Sequence, residues 1–321
     1  MRLAIFALLA IAAAAQDPLT IRVPVRLVTV PTLVLSKDGR IIAGLDTSDF
    51  RVFDNGRAEK ITLDSVTTPV SVAVVVQISR EVREYIPFIA KVGSVVDALL
   101  VGERGNAAVI AYSDEVTLLK PFGPGNVQSN LRRISAAGRN ARMIDASLRA
   151  IALLKDRPRN RARVLLLIGQ PLDRGSESAF AAVEEEAGKE NVSVYALTLP
   201  ESGKSFVSDT FAIRGLSGAD EQGYKTSLAK LVPTLSHPAD FRKNADPFSI
   251  LAVETGGTQL HFRKQNELEQ AIAIVGIELR SSYLLSYRPS STEGGYHTLQ
   301  VEVDVPGVKA YARPGYRVPI N

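Results

Sequence analysis

Val70-Ser-Val-Ala-Val-Val-Val-Gln77-Ile78-Ser79-Arg80-Glu81-Val82 is the stretch on which the fold turns. From Ser71 to Val76 the residues are small or β-branched and apolar almost without interruption. A strand with one face in water alternates apolar and polar residues. A strand that is apolar along its length is buried on both faces, as in a parallel sheet covered by helices. The run then stops at Gln77-Ile78-Ser79-Arg80-Glu81, a polar exit at the carboxyl end of the strand. Open α/β sheets place their ligand sites at such exits.

The same texture continues downstream. Val82 to Leu100 is helical, with Phe88, Ile89, Val92, Val95, Val96 and Leu99 on one broad face. Ala107 to Tyr112 is a strand, and Glu115 to Leu119 is its hairpin partner. Ile144 to Leu154 is a helix, Val164 to Ile168 a strand, Ser178 to Lys189 a helix and Val192 to Leu199 a strand. Alternation at this spacing means a doubly wound, mostly parallel α/β sheet with helices on both faces. Residues 200–248 are polar and irregular, with a possible helix at Thr226 to Leu231, and read as a long surface excursion. Leu251 to Thr255, the Gly256-Gly257 turn, Thr258 to Phe262 and Glu267 to Arg280 give a helix end, a turn, a last strand and a last helix.

On either side the pattern is purely β. Ile21 to Leu35 alternates for much of its length. Lys37-Asp38-Gly39 is a turn, Ile41-Ile42 resumes a strand, and Asp49 to Phe53 is another. Asp54-Asn55-Gly56 signals a hairpin, which Lys60 to Val66 closes. At the far end Tyr283 to Tyr287, His297 to Val305 and Val308 to Ala312 are three strands. Each β piece is too small to bury a core alone. They are therefore expected to pack together as one small sandwich-like module, with the α/β domain inserted between them. Phe50, Phe53, Tyr283, Tyr287 and Tyr316 are the candidates for its core. The boundaries read as 1–15 signal peptide, 16–68 N-terminal β module, 69–282 α/β domain and 283–321 C-terminal β module.

The chain has 321 residues, 45% hydrophobic and 22% charged, an ordinary globular balance. Met1-Arg2, the 13-residue apolar run Leu3 to Ala15 and the small residues Ala13-Ala14-Ala15 match a cleaved secretory signal. That run is too short to span a bilayer comfortably. The expectation is export, to the periplasm or beyond the cell. Zero cysteines exclude disulfides and thiolate chemistry. Residues 132–163 hold ten Arg and Lys against two acids, Asp145 and Asp156. Export and the lack of interleaved aromatics there favour a solvated basic face over a nucleic-acid surface.

The order and spacing of several stretches resemble the von Willebrand factor type A domain, and more narrowly a related family abundant in acidobacteria. They are Leu45 to Gly56, Ala107-Ala-Val-Ile-Ala-Tyr-Ser-Asp114, Leu251-Ala-Val-Glu-Thr-Gly-Gly257, Glu278 to Pro289 and Ala312-Arg-Pro-Gly-Tyr316. The resemblance implies a site for Mg²⁺ at the carboxyl ends of the strands, built from Asp-x-Ser-x-Ser, a Thr and a further Asp. These are the oxygen ligands that a hard divalent cation takes. Carried over, the first Asp falls on Gln77, the Ser residues on Ser79 and Glu81, the Thr on Ala141 beside Arg142, and the last Asp on Gln170, with Asp173 following. Four of the five ligand positions have changed, so the resemblance implies a degenerate metal site and no cofactor. Arg80 and Arg142 enter the same loops as Glu81. Glu81 is expected to pair with one of them, while arginines left free could receive an acidic group of a protein partner.

Other signals are weaker. Thr198 to Ser205 imitates a phosphate-binding loop but lacks its first Gly. Gly215-Leu-Ser-Gly218 lacks the spacing of a nucleophile elbow. His237, His261 and His297 lie apart and read as surface or capping residues. The sequence thus points to an exported, non-enzymatic protein-interaction or adhesion protein. Two other classes stay open: a metal-dependent adhesion domain using Glu81 and Asp173, and an envelope hydrolase with its site in residues 200–248.

Overall fold

A computed structural model describes residues 27–64, 69–158, 160–200, 243, 245–262, 265–291 and 293–318. The signal segment, most of the 200–248 excursion, Gly215 to Gly218 and His237 lie outside the described residues.

All eight residues of the central strand β5 (Val70–Gln77) are buried. Its place explains why. It pairs in parallel with β6 (Asn106–Tyr112) on one side and β8 (Ala162–Gly169) on the other. The sheet continues through β9 (Val192–Thr198) to β10 (Gln259–His261) at one edge and to antiparallel β7 (Val116–Gly123) at the other, in the order β10-β9-β8-β5-β6-β7. One face packs on α1 (Ile86–Val96), α2 (Val127–Leu131) and α6 (Gln265–Ser281). The other packs on α3 (Met143–Lys155), α4 (Phe180–Lys189) and α5 (Pro247–Thr255). This is the doubly wound sheet expected from the sequence. The expected helix over Val82–Leu100 is one continuous rod with three pitches: a 3₁₀ lead-in at Arg80–Tyr85, then α1, then a π turn at Asp97–Val101. Gly93 lets α1 and α2 touch, since a Cβ there would lie 2.3 Å from the Gln128 Cα.

The two chain ends form one module. β1 (Val28–Ser36) pairs over its first half with β11 (Tyr283–Tyr287) and over its second half with β13 (Val308–Tyr311). With β4 (Ile61–Asp64) they make one four-stranded sheet. β2 (Phe50–Asp54), β3 (Arg57–Glu59), β12 (Gly295–Val303) and β14 (Gly315–Val318) make the second. Phe50, Tyr283, Tyr287 and Tyr316 are buried between the sheets as expected, whereas Phe53 is only partly buried.

Several local expectations are corrected. The Asn55-Gly56 turn is present, both residues in the left-handed region, but β3 closes the hairpin. The chain then crosses to the other sheet, where Ile61–Asp64 pairs with β11. Ile41 makes a single bridge to Leu35 and no strand follows. The C-terminal piece has a fourth strand, β14, around Tyr316. The basic stretch is not one solvated face. Arg163 is buried, donating to the carbonyls of Lys155 and Arg157 beyond α3 and to Glu190 beyond α4.

The deepest correction is His297. It is 1% exposed and bridges Asp54 Oδ1 at 2.7 Å and the Glu293 carbonyl at 2.9 Å. The other oxygen of Asp54 accepts the hydroxyls of Tyr287 at 2.8 Å and Tyr316 at 2.6 Å. A buried carboxylate must be met by donors, and here all three come from the opposite end of the chain. A second tie joins module to domain. Asn191, in the turn before β9, accepts from the Thr29 amide and the Arg313 guanidinium and donates to the Leu27 carbonyl.

Asp54→Ala leaves two tyrosine hydroxyls and an imidazole without their acceptor in the sandwich core. The expected outcome is a loss of about 3 kcal/mol in urea denaturation, since each stranded buried polar group costs about 1–3 kcal/mol. A loss no larger than that of an exposed control such as Asp38→Ala would show that the network does not hold the module.

Candidate functional site

In the order β10-β9-β8-β5-β6-β7 the connections diverge between β8 and β5. At such a switch point the outgoing loops part and leave a crevice at the carboxyl ends of the strands. Gln77 ends β5 and Gln170 follows β8, so the topology brings these two expected site residues together. Gln77 is fully buried. Its side-chain oxygen accepts from the Gln170 backbone N–H at 2.7 Å and its nitrogen donates to Ser79 Oγ at 2.8 Å. One amide thus bridges the two strand exits. Gln170 donates from its own side chain to the Pro200 carbonyl at 3.2 Å. The approach requires Gly169: a Cβ there would lie 2.5 Å from the Tyr112 hydroxyl and 2.9 Å from Gln77 Oε1. That hydroxyl is buried and makes no hydrogen bond among the described residues. Burial, then the nearby Asp173 charge, raises the Tyr112 pKa above its ordinary value.

The second loop is closed onto the third. Ala141 and Arg174 exchange backbone hydrogen bonds of 3.0 and 2.9 Å as an isolated antiparallel bridge. Asp173 accepts from the Ile144 amide at 2.9 Å and from Ser176 Oγ at 2.7 Å. Ser176 in turn accepts from the Asp145 amide. The first turn of α3 is therefore capped from another loop, where a carboxylate also meets the positive end of the helix dipole. Asp145 returns the contact by accepting from the Glu177 and Ser178 amides. Burial works against its ionisation, but Ser178, the Glu177 amide and Arg142 outweigh it and hold its pKa at about 2.

The arginine pairing differs from expectation. Glu81 pairs with neither Arg80 nor Arg142 but with Arg174, at 2.8 Å. Arg142 is held by Asp145 at 2.8 Å and Glu177 at 2.9 Å, and these bonds raise its pKa. Arg80 and Arg139 are exposed on either side of Gly138, whose carbonyl takes the Arg80 amide. Their side chains make no hydrogen bond or ion pair among the described residues, and both lie in the field of Asp114. The Asp114 carboxylate is itself engaged by the Asn140 and Arg139 amides, which lower its pKa.

The loops named from the sequence lie together, and Arg174, Asp114, Asp145, Ser176 and Glu177, which the sequence did not single out for this site, bind them to one another. The signal for Asp145 was its place in the first turn of a helix, where carboxylates are favoured. Among the described residues no group of three or more His, Asp or Glu side chains converges as a metal cage.

No family model matches the chain, and no curated protein matches it. Among solved structures it is similar to an aerotolerance-related membrane protein from Bacteroides fragilis NCTC 9343 carrying multiple mutations to serines. That match has a TM-score of 0.41 and 13% identity over 65% of this chain and 99% of the other. It is also similar to the conserved hypothetical protein BatB from Bacteroides thetaiotaomicron, with a TM-score of 0.41 and 11% identity over 65% and 98% of the two chains. A third match is the VWA domain of SpRpn10, with a TM-score of 0.32 and 11% identity over 42% and 77%.

Gln77→Leu keeps the side chain's bulk but removes both bridging hydrogen bonds. It is expected to cost about 1–3 kcal/mol in chemical denaturation; an unchanged stability would mean that the amide bridge does not couple the loops. For Asp145 the folded pKa lies below the ordinary 3.8. Its contribution is therefore complete above that value and is lost as pH falls towards about 2. Asp145→Asn should flatten the acid limb of a melting-temperature profile, and a profile parallel to the wild type would reject this assignment.

Proposed function

We propose that this is an exported, non-enzymatic interaction protein that meets a protein partner through the carboxyl-end face of β5, β6 and β8, without a divalent cation. The observation that carries the reading is the closure of the three loops upon one another. Both polar atoms of the Gln77 amide are taken, by Ser79 and Gln170. Ala141 offers no side-chain oxygen. Asp173 serves the amino end of α3, and Glu81 serves Arg174. Mg²⁺ gives up its water reluctantly and needs carboxylate charge to hold it. The residues at the implied ligand positions are neutral or already paired, so they do not fit the ion.

The face supplies another means of recognition. Arg80 and Arg139 present guanidinium groups to solvent beside the Arg174–Glu81 pair. Guanidinium is a permanent cation that grips carboxylates through parallel hydrogen bonds. An acidic group of the partner is the chemistry that this rim receives. The Asp54–His297 pair supports the non-enzymatic reading, because it lies in the core of the sandwich, out of reach of a substrate. Export rests on the apolar segment Leu3 to Ala15; among the described residues no helix is long and apolar enough to cross a membrane.

Melting the purified protein with excess Mg²⁺, with Mn²⁺ and with EDTA is expected to give one and the same transition temperature. A chelator-sensitive shift would instead favour a metal site built on Glu81 or Asp173. The double variant Arg80→Glu, Arg139→Glu should keep the wild-type circular dichroism and melting temperature while losing capture of a partner from the native envelope fraction. Undiminished capture would remove the arginine rim from the interface.

A further inference from the structure

Glu278 lies near the carboxyl end of α6 and is 4% exposed. Its carboxyl accepts from Thr258 Oγ1 at 3.2 Å, and Tyr195 of β9 bonds to it as well. It also lines a small pocket that opens to solvent. The opposite wall belongs to the β module: Pro31 and Leu33 of β1, and Tyr311 and Ala312 of the β13 edge. Val253, Gly256 and Gly257 at the end of α5 complete it. The carboxyl is thus buried at the seam between the two parts of the molecule.

Among the described residues the groups bonded to Glu278 are hydroxyls: Tyr195 comes from β9 and Thr258 from just before β10, while Tyr311 of β13 lines the same pocket. The cations of the adjoining segments turn to other groups, Lys309 of β13 lying over the Tyr311 ring. Arg280 donates to the Leu99 carbonyl, and Arg313 to the Thr29 carbonyl and Asn191. A buried carboxylate without a cation is costly, and at the carboxyl end of a helix it also opposes the dipole.

We propose that Glu278 is a proton-operated fastener: neutral, it keeps the sandwich seated on the α/β domain, and ionised, it draws water into the cavity and loosens β1 and β13 from α5 and α6. Burial raises the Glu278 pKa from its ordinary 4.5 to about 7, against the opposing bonds from Thr258 and Tyr195. The folded state therefore holds this proton more tightly than the unfolded chain does. Its stabilising effect is full below the ordinary value and declines as pH rises, until it is gone above about 7. The switch falls within the range that an exported protein meets.

Glu278→Gln keeps the shape and removes the charge. Between about pH 5.5 and about pH 8.5 the wild-type folding equilibrium should weaken on the order of thirtyfold more than that of the variant. Hydrogen exchange, corrected for its intrinsic pH dependence, reads the location. In the wild type the amides of β1 and β13 should lose about tenfold protection across this range, and in Glu278→Gln they should keep it. Tyr195→Phe removes a bond that favours the carboxylate, so it should move the midpoint of the loosening to higher pH. It also serves as the test if Glu278→Gln fails to fold. Equal pH dependence in wild type and Glu278→Gln, unchanged protection of β1 and β13 in the wild type, or an unmoved midpoint in Tyr195→Phe would each overturn the proposal.

Discussion

The architecture depends on one buried carboxylate. Asp54 ends β2 in the first β segment, and its partners Tyr287, His297 and Tyr316 lie more than two hundred residues later in the chain. A carboxylate in an apolar core is tolerable only when its lone pairs are met. Among the described residues of the first segment none meets them. The hairpin around Asn55-Gly56 becomes a stable part of the protein only when the C-terminal strands arrive. The pairing of β1 with β11 and β13 imposes the same condition on the other sheet. The α/β domain is thereby enclosed between segments that need each other.

That closure fixes where the domain can act. The sandwich is tied to the amino ends of the parallel strands through Asn191, Arg313 and the turn at Gly256, whose Cα would carry a Cβ within 3.3 Å of Arg313. The carboxyl ends of β5, β6 and β8 are left on the opposite pole. There the loops are joined by short, directional contacts: an amide bridge at Gln77, a two-bond backbone bridge at Ala141, and the capping of α3 by Asp173. Each contact satisfies a polar group that the strand ends would otherwise leave exposed or orphaned. What remains outward on this pole is charge, with two guanidinium groups beside an ion pair.

The two poles carry opposite chemical logic. At the candidate site the carboxyls of Asp114 and Asp145 are met by backbone amides and pulled towards their charged forms. At the seam beneath, Glu278 is buried among hydroxyls and its neutral form is favoured.

The sequence by itself determined the layers. The apolar run from Val72 to Val76 reads as a strand covered on both faces, and the helices between such runs supply the cover. It also determined the hairpin at Asn55-Gly56, because backbone conformation at that turn is a local property. The family resemblance in the sequence pointed to three loops, Gln77 to Glu81, Ala141-Arg142 and Gln170 to Asp173, which the structure brings together. Tertiary structure alone decided the pairings. Glu81 took Arg174, ninety-three residues away, over adjacent Arg80, because the bridge at Ala141 carries the third loop across to it. Ile61–Asp64 left its own hairpin for the other sheet, and His297 went to the core because Asp54 needed a donor there. Periodicity records which face of an element is buried. It holds no record of which distant group will stand opposite, because that depends on how the loops close.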